Sequence, residues 1–122
     1  MELLEDRGVP SVAFAARHRR SLVFIAILDF DTAVADRPAA LAQLDGERDQ
    51  VRAMAGNIAF RVYASRENGT RITVVHEWED QASFAGYLAS DAFSRSGAAL
   101  RPIMNGAPVS RRFHAELLES VA

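Results

Sequence analysis

The pattern of apolar and polar positions predicts four strands, a first helix and two further helical pieces that together form a second helical region. Residues 22–28 are apolar without alternation and rich in β-branched and aromatic side chains, which predicts a strand covered on both faces. Residues 109–116 alternate between apolar and polar, as a half-buried strand does. In chain order, the prediction is a strand at 22–28, a helix at 38–55, strands at 58–65 and 71–78, two helical pieces beginning at Glu79 and about Ser90, and a strand at 109–116.

The order β-α-β-β-α-β predicts an α+β, ferredoxin-like fold, a four-stranded antiparallel sheet with the helices on one face. Helices on one face leave the other uncovered, yet the first strand is apolar on both. We therefore predict a homodimer that packs sheet to sheet, since two-fold symmetric dimers are the commonest oligomers. The predicted domain is 21–122, and residues 1–20, which contain a Gly-Val-Pro turn signal and end in a basic cluster, form an N-terminal extension.

Asn68-Gly69 lies between two β-rich runs and predicts a tight hairpin, because a type I′ turn needs positive φ at both central positions. With these two residues as the turn, the facing side chains share one face of the sheet. The predicted pairs are Ser65 with Ile72, Tyr63 with Val74, Arg61 with His76, and Ala59 with Trp78. The opposite face would carry mostly small or apolar side chains, namely Phe60, Val62, Ala64, Thr73, Val75 and Glu77.

The face with Arg61, Tyr63, His76 and Trp78 is the predicted ligand site, because it combines a cation, a phenol, an imidazole and a large flat ring. His76 is suited to moving a proton near neutral pH, and Arg61 opposite it would stabilise a developing oxyanion. We predict these two as the catalytic residues. A plainer interpretation stays open, in which they form a polar pair at the sheet rim and Trp78 is a core residue.

Composition narrows the range of partners. The chain of 122 residues has 14 Lys+Arg and 16 Asp+Glu, so its charge of -2 gives no basis for nucleic-acid binding. There is no cysteine, and the three histidines do not have metal-ligand spacing, so no metal site is expected. The run at 22–28 is too short to span a bilayer and the first residues do not form a secretory signal, which predicts a cytoplasmic protein without a membrane partner.

The segment 75–84 reads VHEWEDQASF, and 87–93 reads YLASDAF. A tryptophan at a strand end, an acidic helix start and a second short helix resemble the antibiotic biosynthesis monooxygenase family, over roughly residues 21–115. The resemblance implies the dimeric α/β-barrel superfamily. It also implies relatives that oxidise polycyclic aromatic or quinol substrates without metal, haem or flavin. A base removes a proton from the substrate, and the electron-rich anion then reduces molecular oxygen.

Three positions depart from the family pattern. His76 replaces a frequent glutamate, Val74 replaces the asparagine of oxygenases that act on polyketide quinols, and Tyr87 replaces a common histidine; Trp78 alone matches directly. Gly97 aligns with the haem-ligating histidine of haem-degrading relatives, which disfavours haem degradation.

The resulting prediction is a cofactor-independent monooxygenase that oxidises an aromatic polyketide-like or quinol substrate with molecular oxygen, as a homodimer. The residues predicted to line the substrate pocket are Trp78, Tyr63, Val74, Tyr87 and Phe84. The alternative is a protein without oxygenase activity on the same scaffold, either a small-ligand binding module or a cyclase or isomerase.

Overall fold

A computed structural model describes residues 22–122, and the predicted extension at 1–20 lies outside the described residues. The elements follow the predicted order. They are β1 (Leu22–Thr32), α1 (Arg37–Arg52), β2 (Asn57–Ala64), β3 (Arg71–Trp78), α2 (Gln81–Leu88), α3 (Asp91–Leu100) and β4 (Met104–Glu116), with single 3-10 turns at Val34–Asp36 and Arg101–Ile103.

The four strands form one antiparallel sheet in the order β2-β3-β1-β4. The three helices lie on one side of this sheet, so the predicted ferredoxin-like α+β fold is confirmed. We call this side the helix face and the other side the open face. Side chains on β1 alternate between them: Phe24, Ala26 and Phe30 are buried under the helices, whereas Ile25 and Ile27 on the open face are half-buried.

Both β1 and β4 are longer than predicted, since β1 ends at Thr32 instead of residue 28 and β4 begins at Met104 instead of residue 109. β1 continues to Thr32 because Asp29 and Asp31, which interrupt the apolar run, find partners on the open face. Asp31 accepts hydrogen bonds from Arg71 Nε at 2.9 Å and Nη2 at 3.1 Å, and Asp29 accepts one from Thr73 Oγ1. In the sequence, these two aspartates indicate that the strand ends. In the structure, hydrogen bonds to side chains of β3 satisfy them, and the strand continues.

The hairpin between β2 and β3 differs from the prediction. Residues 65–70 form a six-residue loop, in which the β-turn has Gly69 and Thr70 at its centre and Arg71 N donates to Asn68 O at 3.1 Å. Asn68 Oδ1 accepts from Thr70 N at 3.0 Å, and Ser65 Oγ accepts from Asn68 N at the same distance. These side chains stabilise a wider loop than a type I′ turn.

The wider loop shifts the register by one residue. Val62 pairs with Val74, and Phe60 pairs with His76, where the tight turn would have placed Tyr63 and Arg61. A one-residue shift moves every side chain of a strand to the other face. The predicted register, and the face composition derived from it, are therefore wrong.

Side-chain caps begin α2 and α3, and one glycine lets α2 lie close to the sheet. Asp80 caps α2 by accepting from Ser83 N at 2.8 Å, and Ser90 caps α3 by accepting from Phe93 N at 3.2 Å. Gly56 has φ of 81°, and a Cβ there would lie 2.0 Å from Ser83 Oγ. Only glycine fits this approach, so the start of β2 can pass directly beside the first turn of α2.

Candidate functional site

The candidate site lies on the helix face, along one row of side chains that crosses all four strands. The register places Phe60, His76, Ala26 and Arg112 next to one another, from β2 to β4. Ala26 is fully buried and contributes only a methyl group between His76 and Arg112. Phe84 of α2 contacts the two side chains on either side of this small residue. Its ring centroid lies 5.5 Å from that of His76 and 4.9 Å from Arg112 Cζ.

His76 is buried, with 4% of its surface exposed, and is hydrogen-bonded to the neighbouring indole. Trp78 Nε1 lies 2.9 Å from His76 Nδ1. Because an indole nitrogen can only donate, Nδ1 must be the accepting nitrogen, and the neutral imidazole carries its proton on Nε2. Among residues 22–122, His76 Nε2 has no hydrogen-bond partner, so a buried donor points away from Trp78 without an acceptor.

Aromatic rings enclose this imidazole. Its centroid lies 5.6 Å from Phe60, 5.4 Å from Tyr87 and 6.1 Å from Trp78, with interplanar angles of 69–78° that are typical of edge-to-face contacts. Trp78 is completely buried and packs against Tyr87 at 5.5 Å. We call Phe60, Trp78, Phe84 and Tyr87 the aromatic cage.

Burial also sets the protonation states in the cage. Desolvation, aided by the positive charge of Arg112, lowers the pKa of His76 to about 4, so the imidazole is neutral at pH 7. Desolvation, with the negative charge of Glu47, raises the pKa of Tyr87 to about 12, so the phenol is neutral too. At neutral pH the cage therefore offers neutral hydrogen-bonding groups within an apolar wall.

At the edge strand the same face becomes polar and exposed. Arg112 and His114 project from β4 beside α2, and Arg112 Nε donates to Ser110 Oγ at 3.2 Å. His114 makes an edge contact with Phe24, with centroids 5.6 Å apart. This polar strip, formed by Ser110, Arg112 and His114, joins the buried cage to solvent.

The structure divides the predicted site residues between the two faces. Trp78, Val74, Phe84 and Tyr87 lie on the helix face with His76, and Val74 packs in the core there. Arg61 lies on the open face, where its Nη1 is 3.5 Å from Glu77 Oε2. The prediction that Arg61 lies opposite His76 is wrong, because the register is shifted by one residue.

Tyr63 is misplaced for the same reason. It pairs with Thr73 on the open face and is 50% exposed, so it does not line the cage. Phe60, which the predicted register assigned to the opposite face, takes the position next to His76.

Sequence reasoning missed the guanidinium that does share the face of His76. Arg112 belongs to the polar half of the alternation at 109–116, and polar halves of edge strands usually face solvent. The available signal was the pairing of the first and last strands, which aligns Arg112 with Ala26. Ala26 on β1 is fully buried beneath the helices, whereas its partner Arg112 on β4 is exposed, so the helices do not cover β4 at this position.

The described part of the chain lacks the features of a metal site and of a membrane-spanning helix. Within it, no three histidine or acidic side chains come together in a way that could hold a metal ion. Nor does any helix there have the length and apolar character needed to cross a bilayer.

Comparisons with known proteins agree with this fold. The family model described as antibiotic biosynthesis monooxygenase matches residues 24–98. No curated protein matches the sequence.

Solved structures give similar folds at low identity. A conserved protein from Methanosarcina mazei Go1 is 17% identical with a TM-score of 0.73, covering 78% of this chain and 94% of that one. SO0527 from Shewanella oneidensis is 22% identical with a TM-score of 0.71, covering 78% and 92%. Rv0793 from Mycobacterium tuberculosis is 18% identical with a TM-score of 0.72, covering 81% and 99%. At these identities the structures support the fold, and the family match covers the elements from β1 to most of α3.

Proposed function

Since the chain belongs to the antibiotic biosynthesis monooxygenase family, we propose that it is a cofactor-independent monooxygenase acting on a small aromatic quinol or polyketide-like substrate. The observation that carries the proposal is the unpartnered Nε2–H of His76, buried among the rings of the aromatic cage. A buried donor without an acceptor costs about 1–3 kcal/mol, so its presence favours a ligand that supplies an oxygen.

The geometry changes the role proposed for His76. Its basic nitrogen is occupied by Trp78, and its conjugate acid has a pKa of about 4, so it is a poor proton acceptor at pH 7. A neutral imidazole can instead donate a hydrogen bond to a carbonyl or phenolate oxygen, as neutral histidines do in other enzymes. We therefore assign His76 to stabilising the substrate anion, and Trp78 and Tyr87 to holding the substrate rings.

The reaction balances without a cofactor. For an anthrone-type methylene the substrate loses a proton to water and forms an enolate, which transfers an electron to molecular oxygen. Recombination of the two radicals at the same carbon gives a peroxide anion, which takes a proton back from water, and loss of water from the hydroperoxide leaves the carbonyl. One oxygen atom enters the product and the other leaves in water, so the substrate supplies every electron. Stabilising the enolate in a water-poor cage is the part that the protein contributes.

The open face supports the predicted dimer, which is common in this family. Val109 and Phe113 of β4 and Tyr63 of β2 are large, apolar and exposed there, and Ile25 and Ile27 lie between them. Exposed apolar patches of this kind mark association surfaces. We therefore propose a homodimer that buries the open faces of two copies, and light scattering at micromolar concentration tests it.

Oxygen uptake with anthrone tests the activity, with ¹⁸O₂ expected to place one label in the quinone product. His76→Ala should lower kcat by about 100-fold, the effect of removing one preorganised donor. His76→Gln should retain more activity, because its amide can accept from Trp78 and also donate to the substrate. Glu77→Gln, the next residue on the open face, is the control and should keep the wild-type rate. Equal losses in His76→Ala and His76→Gln would contradict the donor role, and no uptake with any aromatic substrate would contradict the oxygenase.

A second candidate is a ligand-binding module or a cyclase or isomerase on the same scaffold. The hydrogen bond from Trp78 to His76 Nδ1 favours it, because it leaves the buried site without a ready base. Binding of an aromatic compound in the cage without oxygen uptake would support this candidate.

A further inference from the structure

Arg112 lies two strands from His76 on the same face. Neighbouring strands are about 4.8 Å apart, so the two backbones lie roughly 10 Å apart across Ala26. The Phe84 ring lies over this interval and contacts both side chains, at 5.5 Å from the His76 ring and 4.9 Å from Arg112 Cζ. A flat molecule placed along this row would therefore have a hydrogen-bond donor at each end.

The charge of Arg112 is not neutralised by a carboxylate. Within residues 22–122 it forms no ion pair, and its hydrogen bond goes to the Ser110 hydroxyl. The next residue, Arg111, lies on the open face and pairs with Asp29 at 3.6 Å. Arg112 Cζ lies over the Phe84 ring, a cation–π contact that does not use the guanidinium N–H groups as hydrogen-bond donors.

The two ends differ in what they accept. His76 Nε2–H is buried and neutral, and suits a carbonyl or phenol oxygen inside the cage. Arg112 is exposed and carries a full charge, and a guanidinium binds a carboxylate through two parallel hydrogen bonds. Between them, Ala26 adds a single buried methyl group, and the Phe84 ring that contacts both side chains must turn aside for a ligand to lie along the row.

We propose that Arg112 forms an anion subsite, and that the preferred ligands are fused-ring aromatic molecules with a ring oxygen at His76 and an acidic group at Arg112. The location rests on the proposed function, because it places the ligand rings in the aromatic cage. The ligand class rests on the unpaired guanidinium and the orphan imidazole donor.

Binding of matched probes tests the subsite. Trp78 is the single tryptophan of the chain and belongs to the cage, so its fluorescence reports occupancy directly. We choose 6-hydroxy-2-naphthoate and its methyl ester, which carry the phenol and the acidic group at opposite ends of the ring system and differ from each other in charge, with calorimetry as the second measurement. The carboxylate should bind at least about tenfold more tightly, as expected for hydrogen bonds between charged groups.

Arg112→Gln should remove this preference and leave ester binding unchanged. Arg111→Gln makes the same change in net charge one residue away and should keep the preference, with light scattering to check that assembly is unaltered. Equal affinity for the two probes, or equal losses in the two variants, would overturn the proposal.

Measuring oxygen uptake distinguishes a failure of the anion subsite from a failure of the oxygenase activity. Arg112-dependent binding of the carboxylate without any oxygen uptake would support the subsite and contradict the oxygenase. Oxygen uptake that is the same in Arg112→Gln and wild type, for acidic and neutral substrates alike, would support the oxygenase and overturn the subsite.

Discussion

The two faces of the sheet are both apolar at their centres, but they treat polar groups differently. On the open face each charged side chain has a nearby partner of opposite charge, as in the pairs Arg71–Asp31 and Arg111–Asp29. On the helix face, the buried imidazole of His76 and the guanidinium of Arg112 have no such partner in the described residues. Polar groups that are satisfied within the chain belong to structure, and those that are not are candidates for binding a ligand.

Adjacent residues of β3 have opposite roles because their side chains lie on opposite faces of the sheet. Val74 is fully packed under the helices, whereas Val75 is half-buried on the open face. Because side chains alternate along β3, a change of one residue exchanges core for candidate interface.

The largest expected change in the free energy of unfolding comes from placing a charge on the helix face, and the same charge on the open face is its comparison. Val74→Asp buries an unpaired carboxylate and should destabilise the domain by more than about 4 kcal/mol, so that far-UV circular dichroism shows an unfolded chain. Val75→Asp places the same charge next to Arg61 and Ile27 on the open face. It should leave the fold intact and convert the proposed dimer to a monomer in light scattering.

Two results with these variants would contradict the assignment of the faces. A Val75→Asp variant that unfolds would mean that the open face is a core rather than an interface. A folded variant that is still dimeric would place the dimer contact elsewhere on the molecule.

Acid should destabilise the helix face through His76. The unfolded chain binds a proton there at the ordinary pKa of 6.5, whereas in the folded protein the pKa is about 4. Between these values the unfolded state binds more protons, so the free energy of unfolding falls as the pH drops from about 6.5 to about 4. The loss reaches about 3 kcal/mol, since one pKa unit corresponds to about 1.4 kcal/mol. Urea titrations at pH 7.5, 5.5 and 4.5 measure it.

His76→Gln is the control for this pH dependence, because glutamine can accept the Trp78 hydrogen bond but does not titrate. The slope of stability against pH between 6.5 and 4 should be smaller in this variant. The carboxyls of Asp31 and Asp80, whose pKa values are lowered by hydrogen bonds from Arg71 and from Ser83, titrate at lower pH and contribute equally to both proteins. Identical slopes would show that His76 is accessible to protons in the folded state.

The sequence predicts the architecture well because hydrophobic pattern and capping are local signals. β3 has the predicted bounds, and Asp80 and Ser90 precede the helices that they cap. The family resemblance is confirmed by the match over residues 24–98. The strand pairing, by contrast, depends on a loop whose geometry involves α1: Arg37 Nη1 donates to the carbonyls of Ser65 at 3.0 Å and Asn68 at 3.1 Å.

The same distinction between local signals and tertiary contacts applies to the candidate site. His76 and Trp78 belong to one strand, so their shared face followed from alternation alone. Their partners across the sheet did not, because a local Asn-Gly signal suggested a two-residue turn and the tertiary contacts of Arg37 stabilise a six-residue loop. Residue types identified the chemistry, but the register decided which cation, Arg112 rather than Arg61, shares the face of His76.

The contribution of Arg37 to the loop should be measurable. Arg37→Met retains the aliphatic stem but loses the hydrogen bonds to Ser65, Asn68 and Arg71, which should lower the free energy of unfolding by about 1–2 kcal/mol. Hydrogen exchange at Ser65 N and Arg71 N, which bond within the loop and across its base, should accelerate. Arg48→Met on the same helix removes an exposed pair with Asp45 and is the control, with a change of at most about 0.5 kcal/mol. Equal effects of the two substitutions would mean that the loop does not depend on α1.

The smallest expected effect is that of Arg61→Gln, which nevertheless tests the face assignment most directly. Arg61 is half-exposed and lies 3.5 Å from Glu77 on the open face, so its loss should change the free energy of unfolding by less than about 0.5 kcal/mol. Because it lies on the side of the sheet away from His76, the substitution should leave aromatic binding and oxygen uptake at wild-type values, whereas Arg112→Gln weakens binding of the acidic probe. A tenfold loss of uptake in Arg61→Gln, with Arg112→Gln unaffected, would restore the tight-turn register and exchange the two faces.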